Sequence, residues 1–406
     1  MPQGRRAKFA MSLELAHIIP DMGYSSICIG AVFEIEAMRN SRDMARILWI
    51  TGRRLTSDLA SSTEIGLFDA LKSRGHDIEI HYPGDSDKIP FDREGIHPSL
   101  YNSGLRGFKS KIASKSAIKI ITDASKDDAP NLFVDWRLVP WMSVELSNYP
   151  ANWFIIDRGP PADSGILGKL QWRYWMKSWR IAGDSASGGM VVSDEHEKIV
   201  RPHSGQKIPI CSLSGGVKKS NITSQRRTKP DETLNLVYVG RIDRNRGVRN
   251  LISILDWAEK RDIALNMHIA GEGDESETLR NDSRIIHHGF LDSEDIHRLL
   301  SECDVGLLPM PPGPVWSTSS PLKLAEYAAA GLAVVGVDHP GHFLPGSREW
   351  IDLGPVHDWW SKGISRFSEL SPEEWNIVHN SATTAAIDLT FERLAERLED
   401  FMESVR

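Results

Sequence analysis

Short apolar runs alternate with longer amphipathic stretches along the chain from Met44 onwards. The first clear unit is an apolar run at residues 46–52, a helical pattern at 64–73 and a second apolar run at 77–81. An apolar run of strand length that ends in turn residues and is followed by a helical period is typical of a strand entering a parallel sheet. The pattern therefore predicts a β-α-β unit.

Similar runs continue in two series. Those of the first half lie at residues 117–121, 131–135, 152–157 and 189–193. Those of the second half lie at residues 234–240, 264–271, 284–289, 304–309 and 332–337. Helical patterns of the second half lie at residues 248–260, 293–303 and 321–330. Because parallel strands need crossover connections, which are usually helices, this alternation predicts two parallel α/β sheets.

One polar segment sets the predicted domain organisation. Residues 214–233 are polar and basic with almost no apolar side chains, which predicts a linker. It separates two Rossmann-like, doubly wound domains, at residues 44–213 and 234–382, which we expect to face a central cleft. Residues 383–406 predict a C-terminal helix. In one arrangement this helix packs back on the first domain. Residues 1–43 show no clear period and are treated as an N-terminal extension.

Composition restricts the class of protein. The 406 residues are 40% apolar and 25% charged, which suits a globular chain of two domains. The formal net charge of −7 argues against a nucleic-acid partner, and no apolar run reaches the ~20 residues of a membrane span. Three cysteines far apart predict neither a disulfide framework nor a zinc cluster, so we expect a reducing, cytoplasmic compartment.

The strongest motif is a basic turn at residues 238–247, YVGRIDRNRG. A strand ends here in Gly-Arg and a helix follows the next glycine, so Arg241 and Arg246 lie beside a strand end and a helix start. Fixed cations and free backbone N–H groups in such a place bind a pyrophosphate. The alternative is a solvated basic turn.

A second motif, TSSPLKLAEYAAAG at residues 318–331, begins a helix. Ser319 precedes Ser320, which suits the N-cap, and Lys323 and Glu326 share one helix face because they are three residues apart. In the functional interpretation the two serines face phosphate, Lys323 adds positive charge and Glu326 accepts hydrogen bonds from ribose hydroxyls. In the other interpretation Lys323 and Glu326 form an ordinary surface ion pair.

Together these stretches resemble the second domain of the GT-B-fold glycosyltransferases of group 1, also called family 4. The resemblance covers most of the chain and is most specific at residues 234–338. It implies that Arg241 and Arg246 hold the donor diphosphate and that Glu326 matches the second glutamate of the family's Glu-x7-Glu motif. The first glutamate falls on Thr318, which departs from the pattern near the donor sugar, and Thr318 is still expected among the donor-binding residues.

The same family has a Gly-x-Gly after the second strand and a turn that packs on the nucleotide base. Residues 271–273, Gly-Glu-Gly, and 288–291, His-Gly-Phe-Leu, match these features. The resemblance therefore implies that Gly271, Phe290 and Leu291 contact the donor.

The implied activity is that of a hexosyltransferase that moves a sugar from a nucleotide-diphosphate sugar to an acceptor with retention. The resemblance suggests an acceptor that is lipid-linked or part of a cell-surface glycan. Neither a cofactor nor a catalytic metal is expected, because fixed cations would neutralise the leaving diphosphate. The alternatives are a nucleotide-sugar epimerase or an inverting transferase of the same fold, and a non-catalytic sugar-nucleotide-binding protein.

The first predicted domain offers fewer signals. Gly52 lies where such enzymes have a glycine-rich loop, and Asp157 follows a strand and is expected to face the cleft. There Asp157 would orient the acceptor hydroxyl or stabilise positive charge on the sugar, and a turn or helix cap is the alternative. The D-x-D triplet Asp85-Ser-Asp87 lies in a Pro-Gly loop, so it predicts a solvated turn and no metal site.

An aromatic and basic pattern bears on the acceptor and on localisation. Residues 169–180, read as a helix, place large apolar side chains on one stripe, namely Trp172, Trp175, Met176 and Trp179. The basic residues beside it and in a second basic run are Lys169, Arg173, Lys177 and Arg180, and Arg106, Lys109, Lys111, Lys115 and Lys119. This composition is typical of a helix that lies at a membrane interface. It predicts that the protein binds an anionic membrane surface, namely the inner face of the membrane. The alternative is that the tryptophans belong to the core.

Overall fold

The computed structural model describes residues 44–55, 61–84, 93–101, 108–162, 165–206, 208–224, 233–319, 322–342, 344 and 348–405. Within these ranges the strands form two sheets, one of seven strands and one of six, with parallel pairing throughout. The predictions made for residues 1–43 and for Asp85 and Asp87 lie outside the described residues. The predicted α/β class with two parallel sheets is confirmed.

The seven-stranded sheet and its helices make up the first domain. Its strands are β1 (Arg46–Ile50), β2 (Asp77–Pro83), β3 (Ile96–Leu100), β4 (Asn131–Asp135), β5 (Trp153–Ile156), β6 (Gly188–Val191) and β7 (Ile210–Ser212). Their order across the sheet is β3-β2-β1-β4-β5-β6-β7. Along β1, Ile47 and Trp49 enter the core on one face and Leu48 and Ile50 enter the core on the other. Both faces are covered, which is why these strands read as continuous apolar runs.

Helices cover both faces of this sheet. They are α1 (Ser61–Ser73), α2 (Lys109–Ala124), α3 (Ser143–Ser147), α4 (Gly165–Ser185) and α5 (Asp194–Ser204), with a 3₁₀ turn at Val139–Trp141. The strand predicted at residues 117–121 is wrong, because this stretch lies inside α2. Ala113, Ala117 and Ile121 are buried at a spacing of four residues, so the apolar run is one helix face rather than a strand.

The six-stranded sheet and its helices make up the second domain. Its strands are β8 (Leu234–Val239), β9 (Leu265–Ala270), β10 (Ile285–Gly289), β11 (Val305–Leu308), β12 (Ala333–Val337) and β13 (Ile351–Gly354), in the order β10-β9-β8-β11-β12-β13. Its helices are α6 (Asn250–Glu259), α7 (Ser276–Arg280), α8 (Ser293–Glu302), α9 (Pro314–Ser317), α10 (Leu322–Ala329), α11 (Ser361–Glu369) and α12 (Pro372–Ile387). Both sheets have the strand order of Rossmann-like folds, in which the order reverses beside the first strand.

Three strands, all at sheet edges, were not predicted from the sequence. They are β3, β7 and β13, and each is only three to five residues long. Edge strands have one neighbour and less burial, so a continuous apolar run is not required of them. In β3, for instance, the residues between Ile96 and Leu100 are partly or fully exposed.

The last helix returns to the first domain. Helix α13 (Phe391–Ser404) places Leu394, Leu398 and Met402 in the same core as Trp49 and Phe133. Phe391 packs where Gly66 of α1 leaves space, because a β-carbon there would overlap its ring. The first domain is therefore built from two separate parts of the chain.

No described helix is long and apolar enough to cross a bilayer.

Candidate active site

The carboxyl ends of the two sheets meet at a cavity of about 410 Å³. From the first domain it is lined by Thr63, Arg158, Val192 and Gly215. From the second domain it is lined by Val239, Gly240, Arg241, Arg246, Ala270, Gly271, Glu272, Phe290, Leu291, Ile296, Met310, Trp316, Ser319, Leu322, Lys323 and Glu326. A cavity with a few polar groups at the strand ends of parallel sheets is the usual place for a ligand. Eight residues predicted from the sequence are thus brought together: Arg241, Arg246, Gly271, Phe290, Leu291, Ser319, Lys323 and Glu326.

The turn after β8 forms one wall of the cavity and holds Lys323. Gly240 has φ +134°, and a β-carbon there would lie 2.8 Å from Lys323 Nζ. The ammonium lies 5.1 Å from the ring centre of Tyr238, whose hydroxyl donates to the carbonyl of Arg241 at 2.8 Å. A residue without a side chain at position 240 therefore lets the lysine of α10 approach the backbone of this turn.

A second glycine brings two strand-end turns into contact. Gly271, after β9, has φ +135°, and a β-carbon there would overlap the carbonyl oxygen of Gly240. The backbone N–H of Gly271 donates to the carbonyl of Gly289 at 2.7 Å. The turns after β8, β9 and β10 therefore form one continuous floor. Phe290, which is 84% exposed, stands at the outer end of this floor.

The two predicted arginines differ in their surroundings. The guanidinium of Arg246 lies 5.0 Å from the ring centre of Trp316, an arrangement in which the ring face attracts the cation and fixes it at the cavity wall. Arg241 is more exposed, and its Nε lies 2.8 Å from Asp243 Oδ2. Arg246 is therefore held toward the cavity, whereas Arg241 is shared between the cavity and an acidic neighbour.

Lys323 and Glu326 are both shifted toward neutrality at the cavity wall. Burial lowers the pKa of Lys323 to about 7, Arg246 adds to this shift and Glu326 opposes it. Burial raises the pKa of Glu326 to about 7 against the attraction of Lys323. Both side chains line the cavity, so the interpretation as an exposed surface pair does not describe them. Cations that are close together without a full counter-charge attract an anionic ligand.

The segment before α10 links the two domains. Ser193, the N-cap of α5, donates from Oγ to the carbonyl of Thr318 at 2.6 Å. Thr318 is buried and does not line the cavity, whereas the neighbouring Ser319 does. Ser320 lies outside the described residues. The position that carries the first glutamate in the related motif is therefore used here for a contact between domains.

Asp157 lies in the interior of the first domain, which differs from the expected orientation toward the cleft. Its Oδ2 accepts hydrogen bonds from Trp175 Nε1 at 2.6 Å and Trp179 Nε1 at 2.9 Å, and lies 3.2 Å from His196 Nε2. Burial alone raises the pKa of Asp157, but His196 and the hydrogen bonds outweigh it and hold that pKa below its usual value. The side chain is fully buried and anchors two tryptophans.

The same contacts decide the place of the aromatic stripe. Trp175 and Trp179 are fully buried in the first domain, as the core interpretation of α4 predicts. The basic residues of the helix are exposed at Lys169, Arg173, Lys177 and Arg180. Sequence spacing alone did not distinguish the core interpretation from the membrane interpretation. An apolar stripe has the same helical period whether it faces a core or a bilayer.

Two charged residues of the first domain that the sequence motifs did not indicate, Arg158 and Glu64, lie at or near the cavity. Arg158 lines it and donates to the carbonyl of Leu213 at 2.6 Å, while burial lowers its pKa to about 10. Glu64 is buried with Oε1 4.0 Å from Arg53 Nε, and burial raises its pKa to about 7 against that attraction. Gly52 lies beside this group, near Arg137, and does not line the cavity. Asp157 was singled out from the sequence, but the next residue, Arg158, was not.

Two parallel-sheet α/β domains with a cavity at their strand ends define the GT-B fold, and solved structures of that fold resemble this chain. Sucrose-phosphate synthase (tll1590) from Thermosynechococcus elongatus has a TM-score of 0.70 at 14% identity, over 89% of this chain and 98% of that chain. Anabaena Alr3699/HepE in complex with UDP has a TM-score of 0.68 at 11% identity, over 89% and 100%. TarM has a TM-score of 0.56 at 14% identity, over 71% and 58%. The predicted GT-B fold is confirmed.

Residues 233–350 match the model of the family described as glycosyl transferases group 1. This range contains both motifs on which the resemblance was based, so the resemblance is confirmed. The family match over these residues and the GT-B fold of the chain together support a glycosyltransferase. A search of curated proteins finds no significant match to it.

Proposed function

We propose that the chain transfers a hexosyl group from a nucleotide-diphosphate sugar, bound in the cavity, to an acceptor, with retention of anomeric configuration. The observation that carries this proposal is the convergence of Arg246, Lys323 and Glu326 on one cavity at the strand ends. The Anabaena protein named above is described in complexes with UDP and with UDP-glucose, which supports a donor of this class.

The diphosphate would lie between Arg246 and Lys323, over the turn after β8. During transfer the bond between the anomeric carbon and the leaving phosphate oxygen breaks, and its electron pair remains on the diphosphate. Arg246 and Lys323 stabilise that charge, and Arg241 adds to them once its guanidinium leaves Asp243. Fixed positive groups of this kind act most strongly in a partly enclosed cavity, where water screens them less.

The nucleoside would extend toward the turns after β9 and β10. Glu326, once ionised, accepts hydrogen bonds from the ribose hydroxyls, and a charged acceptor strengthens such bonds. Phe290 and Leu291 offer apolar surface to the base, and Gly271 lines the cavity with them. We infer no metal or other cofactor in this scheme, because the residues at the cavity provide the positive charge themselves.

The acceptor would enter from the first domain, past Thr63 and Arg158. Helix α4 supports an acceptor linked to a lipid, because its first turns expose apolar side chains next to basic ones. Ile166 is 87% exposed, and Leu167 and Leu170 are about half as exposed, beside Lys169 and Arg173. Apolar residues next to cations favour the surface of an anionic bilayer. We therefore propose a cytoplasmic enzyme that works at the inner face of a membrane.

A donor screen tests the proposal. Thermal shift with a panel of nucleoside diphosphates and their sugars identifies the base, since a ligand at 100 times its dissociation constant stabilises by about 2.7 kcal/mol. Incubation of the best donor with candidate acceptors, followed by NMR of the anomeric proton, then gives the configuration of the product. An inverted product would overturn retention, and turnover to an isomeric donor would indicate an epimerase. Donor binding without hydrolysis or transfer would support a non-catalytic binder.

A further inference from the structure

Three side chains of the kind that ligate metals lie together on the first domain. Glu79 and His81 are two residues apart on β2 and so lie on the same face of the sheet. His97, on the neighbouring edge strand β3, is the register partner of His81, and the two rings are 4.9 Å apart. One ligand atom of each of the three side chains lies within 4.8 Å of the other two. None of the three is among the residues that line the cavity.

The two ring nitrogens of His81 have different surroundings, and Ser99 contacts one of them. Nδ1 of His81 lies 2.7 Å from Ser99 Oγ, and Ser99 Oγ lies 3.4 Å from the carbonyl oxygen of His97. The serine hydroxyl has a single proton, which it donates either to Nδ1 or to that carbonyl. With the proton of His81 on Nδ1, the ring donates to Ser99 and Nε2 is free to ligate a metal; with the proton on Nε2, that nitrogen points its N–H toward Glu79.

The other ring nitrogen of His81 faces the carboxylate of Glu79. Nε2 of His81 is buried without a hydrogen-bond partner among the described atoms, and it lies 3.5 Å from Glu79 Oε2. In the tautomer with the proton on Nδ1, the Nε2 lone pair faces the carboxylate, which is repulsive in a place shielded from water. A divalent cation between the two atoms would make both of them ligands. Glu79 is half-exposed, so such an ion has a path from solvent.

We propose that Glu79, His81 and His97 bind one transition-metal ion of the Zn²⁺ type, with Ser99 orienting His81. Two imidazoles and one carboxylate suit Zn²⁺ or Co²⁺, whereas Mg²⁺ and Ca²⁺ prefer oxygen ligands. Three protein ligands leave a coordination position for water. The ligands come from two adjacent strands, so the ion ties the edge strand β3 to β2. The site is separate from the cavity, and the transfer reaction proposed above does not depend on it.

A cobalt titration of the full chain without an affinity tag tests this site. Co²⁺ reports nitrogen and oxygen ligation through its visible absorption, and we expect one Co²⁺ per chain that Zn²⁺ displaces. His81→Ala and His97→Ala each remove a ligand, so each should abolish the absorption. Ser99→Ala removes the partner that orients His81 and should weaken the affinity by about 10–100-fold.

The matched control is His288→Ala, which removes a histidine from a different pair. His268 Nδ1 and His288 Nε2 lie 3.1 Å apart and contact each other directly, so this variant should bind Co²⁺ like the wild type. Circular dichroism shows whether each variant is folded. The proposal is overturned if the wild type binds neither ion at micromolar concentrations, or if folded His81→Ala and His97→Ala bind Co²⁺ unchanged. Should these two fail to fold, an unchanged affinity in Ser99→Ala overturns it instead.

Discussion

Lys323 Nζ lies where a side chain at Gly240 would begin, with 2.8 Å between the ammonium and an ideal β-carbon at that position. The lysine on α10 and the turn after β8 therefore form one unit, although 83 residues separate them in sequence. Arg246 belongs to the same turn and lowers the pKa of Lys323 in addition to the effect of burial. The positive charge of the cavity thus depends on pH near neutrality.

Proton uptake should therefore accompany the binding of a nucleoside diphosphate. The pKa of Lys323 is about 7 without ligand, and a bound diphosphate raises it by adding negative charge. The contribution of the ammonium to affinity is complete below about pH 7 and falls as the pH rises toward the pKa of the complex, by up to about tenfold per pH unit. Calorimetry of UDP binding at pH 8, in buffers of different ionisation enthalpy, counts the protons taken up.

The variant Lys323→Met is the control for that measurement, because it keeps the volume and loses the proton. Glu326 titrates in the same range, so the experiment is repeated in Glu326→Gln. Equal proton uptake in the wild type and in Lys323→Met would show that another group takes up the proton.

Arg246→Ala and Arg241→Ala should each reduce turnover. Losing one fixed donor to a developing negative charge typically lowers kcat by about 10²–10³-fold. The larger loss is expected for Arg246, because Arg241 is partly engaged with Asp243. Arg244→Ala is the matched control, since it lies exposed in the same turn without lining the cavity. Near-normal turnover in both test variants, with the fold intact, would contradict the assignment of the leaving group.

Glu326→Gln should weaken donor binding. The amide keeps the shape but loses a charged acceptor, and hydrogen bonds to charged groups contribute about 1.5–3 kcal/mol. Calorimetry with UDP measures the change. A matched comparison with the corresponding 2′,3′-dideoxynucleotide separates the ribose contact from a general effect of charge. The variant and wild type should bind this analogue equally, and an unchanged affinity for UDP itself would place Glu326 outside the ribose site.

Asp157→Asn separates a structural role of this carboxylate from the catalytic role predicted from the sequence. Its position beneath Trp175 and Trp179 favours the structural one, so the free energy of unfolding should fall by about 1.5–3 kcal/mol. Because the pKa of Asp157 is depressed in the folded state, its contribution is present above about pH 4 and is lost only at more acid pH. Urea denaturation at pH 7 and pH 3 measures this. A large loss of kcat with unchanged stability would instead support the catalytic role.

Binding of the protein to anionic vesicles should depend on the exposed face of α4. Each basic residue near an anionic leaflet contributes about 1 kcal/mol, and this attraction weakens with salt because the Debye length falls from ~10 Å at 0.1 M to ~3 Å at 1 M. Cosedimentation at low and high salt, for the wild type and for Lys169→Glu with Arg173→Glu, measures it. Lys260→Glu, on an exposed residue of the second domain, is a matched charge control. Absence of binding at low salt would favour a soluble acceptor.

The sequence was most informative where both faces of a strand are buried. Continuous apolar runs predicted β1, β4, β8 and β11, because strands in the middle of a parallel sheet have no polar face. The edge strands β3, β7 and β13 were missed for the converse reason, since an edge strand needs no continuous apolar run. Part of α2 was taken for a strand because one buried helix face gives a short apolar run. Within the site, local motifs predicted that Arg246 and Lys323 lie together, since one belongs to a strand-end turn and the other to a helix start.

Residues that act through tertiary contacts could not be predicted in this way. Trp316 lies 70 residues after Arg246, and nothing in the spacing indicates that the indole faces the guanidinium. Arg158 reaches the cavity only because the two domains meet there. Asp157 was expected at the cleft because it follows a strand, but α4 covers it with two tryptophans.

The return of α13 to the first domain has a consequence for biosynthesis. The core of that domain contains Leu394 and Leu398, which the ribosome adds only after the entire second domain. At roughly 5–20 residues per second, residues 214–390 take about 10–35 s to translate, and throughout this time the surface around Trp49 and Gly66 lacks its partner helix. The nascent first domain therefore exposes an apolar surface for a longer time than the translation of its own residues takes. This exposure makes it a substrate for chaperones that bind such surfaces during translation.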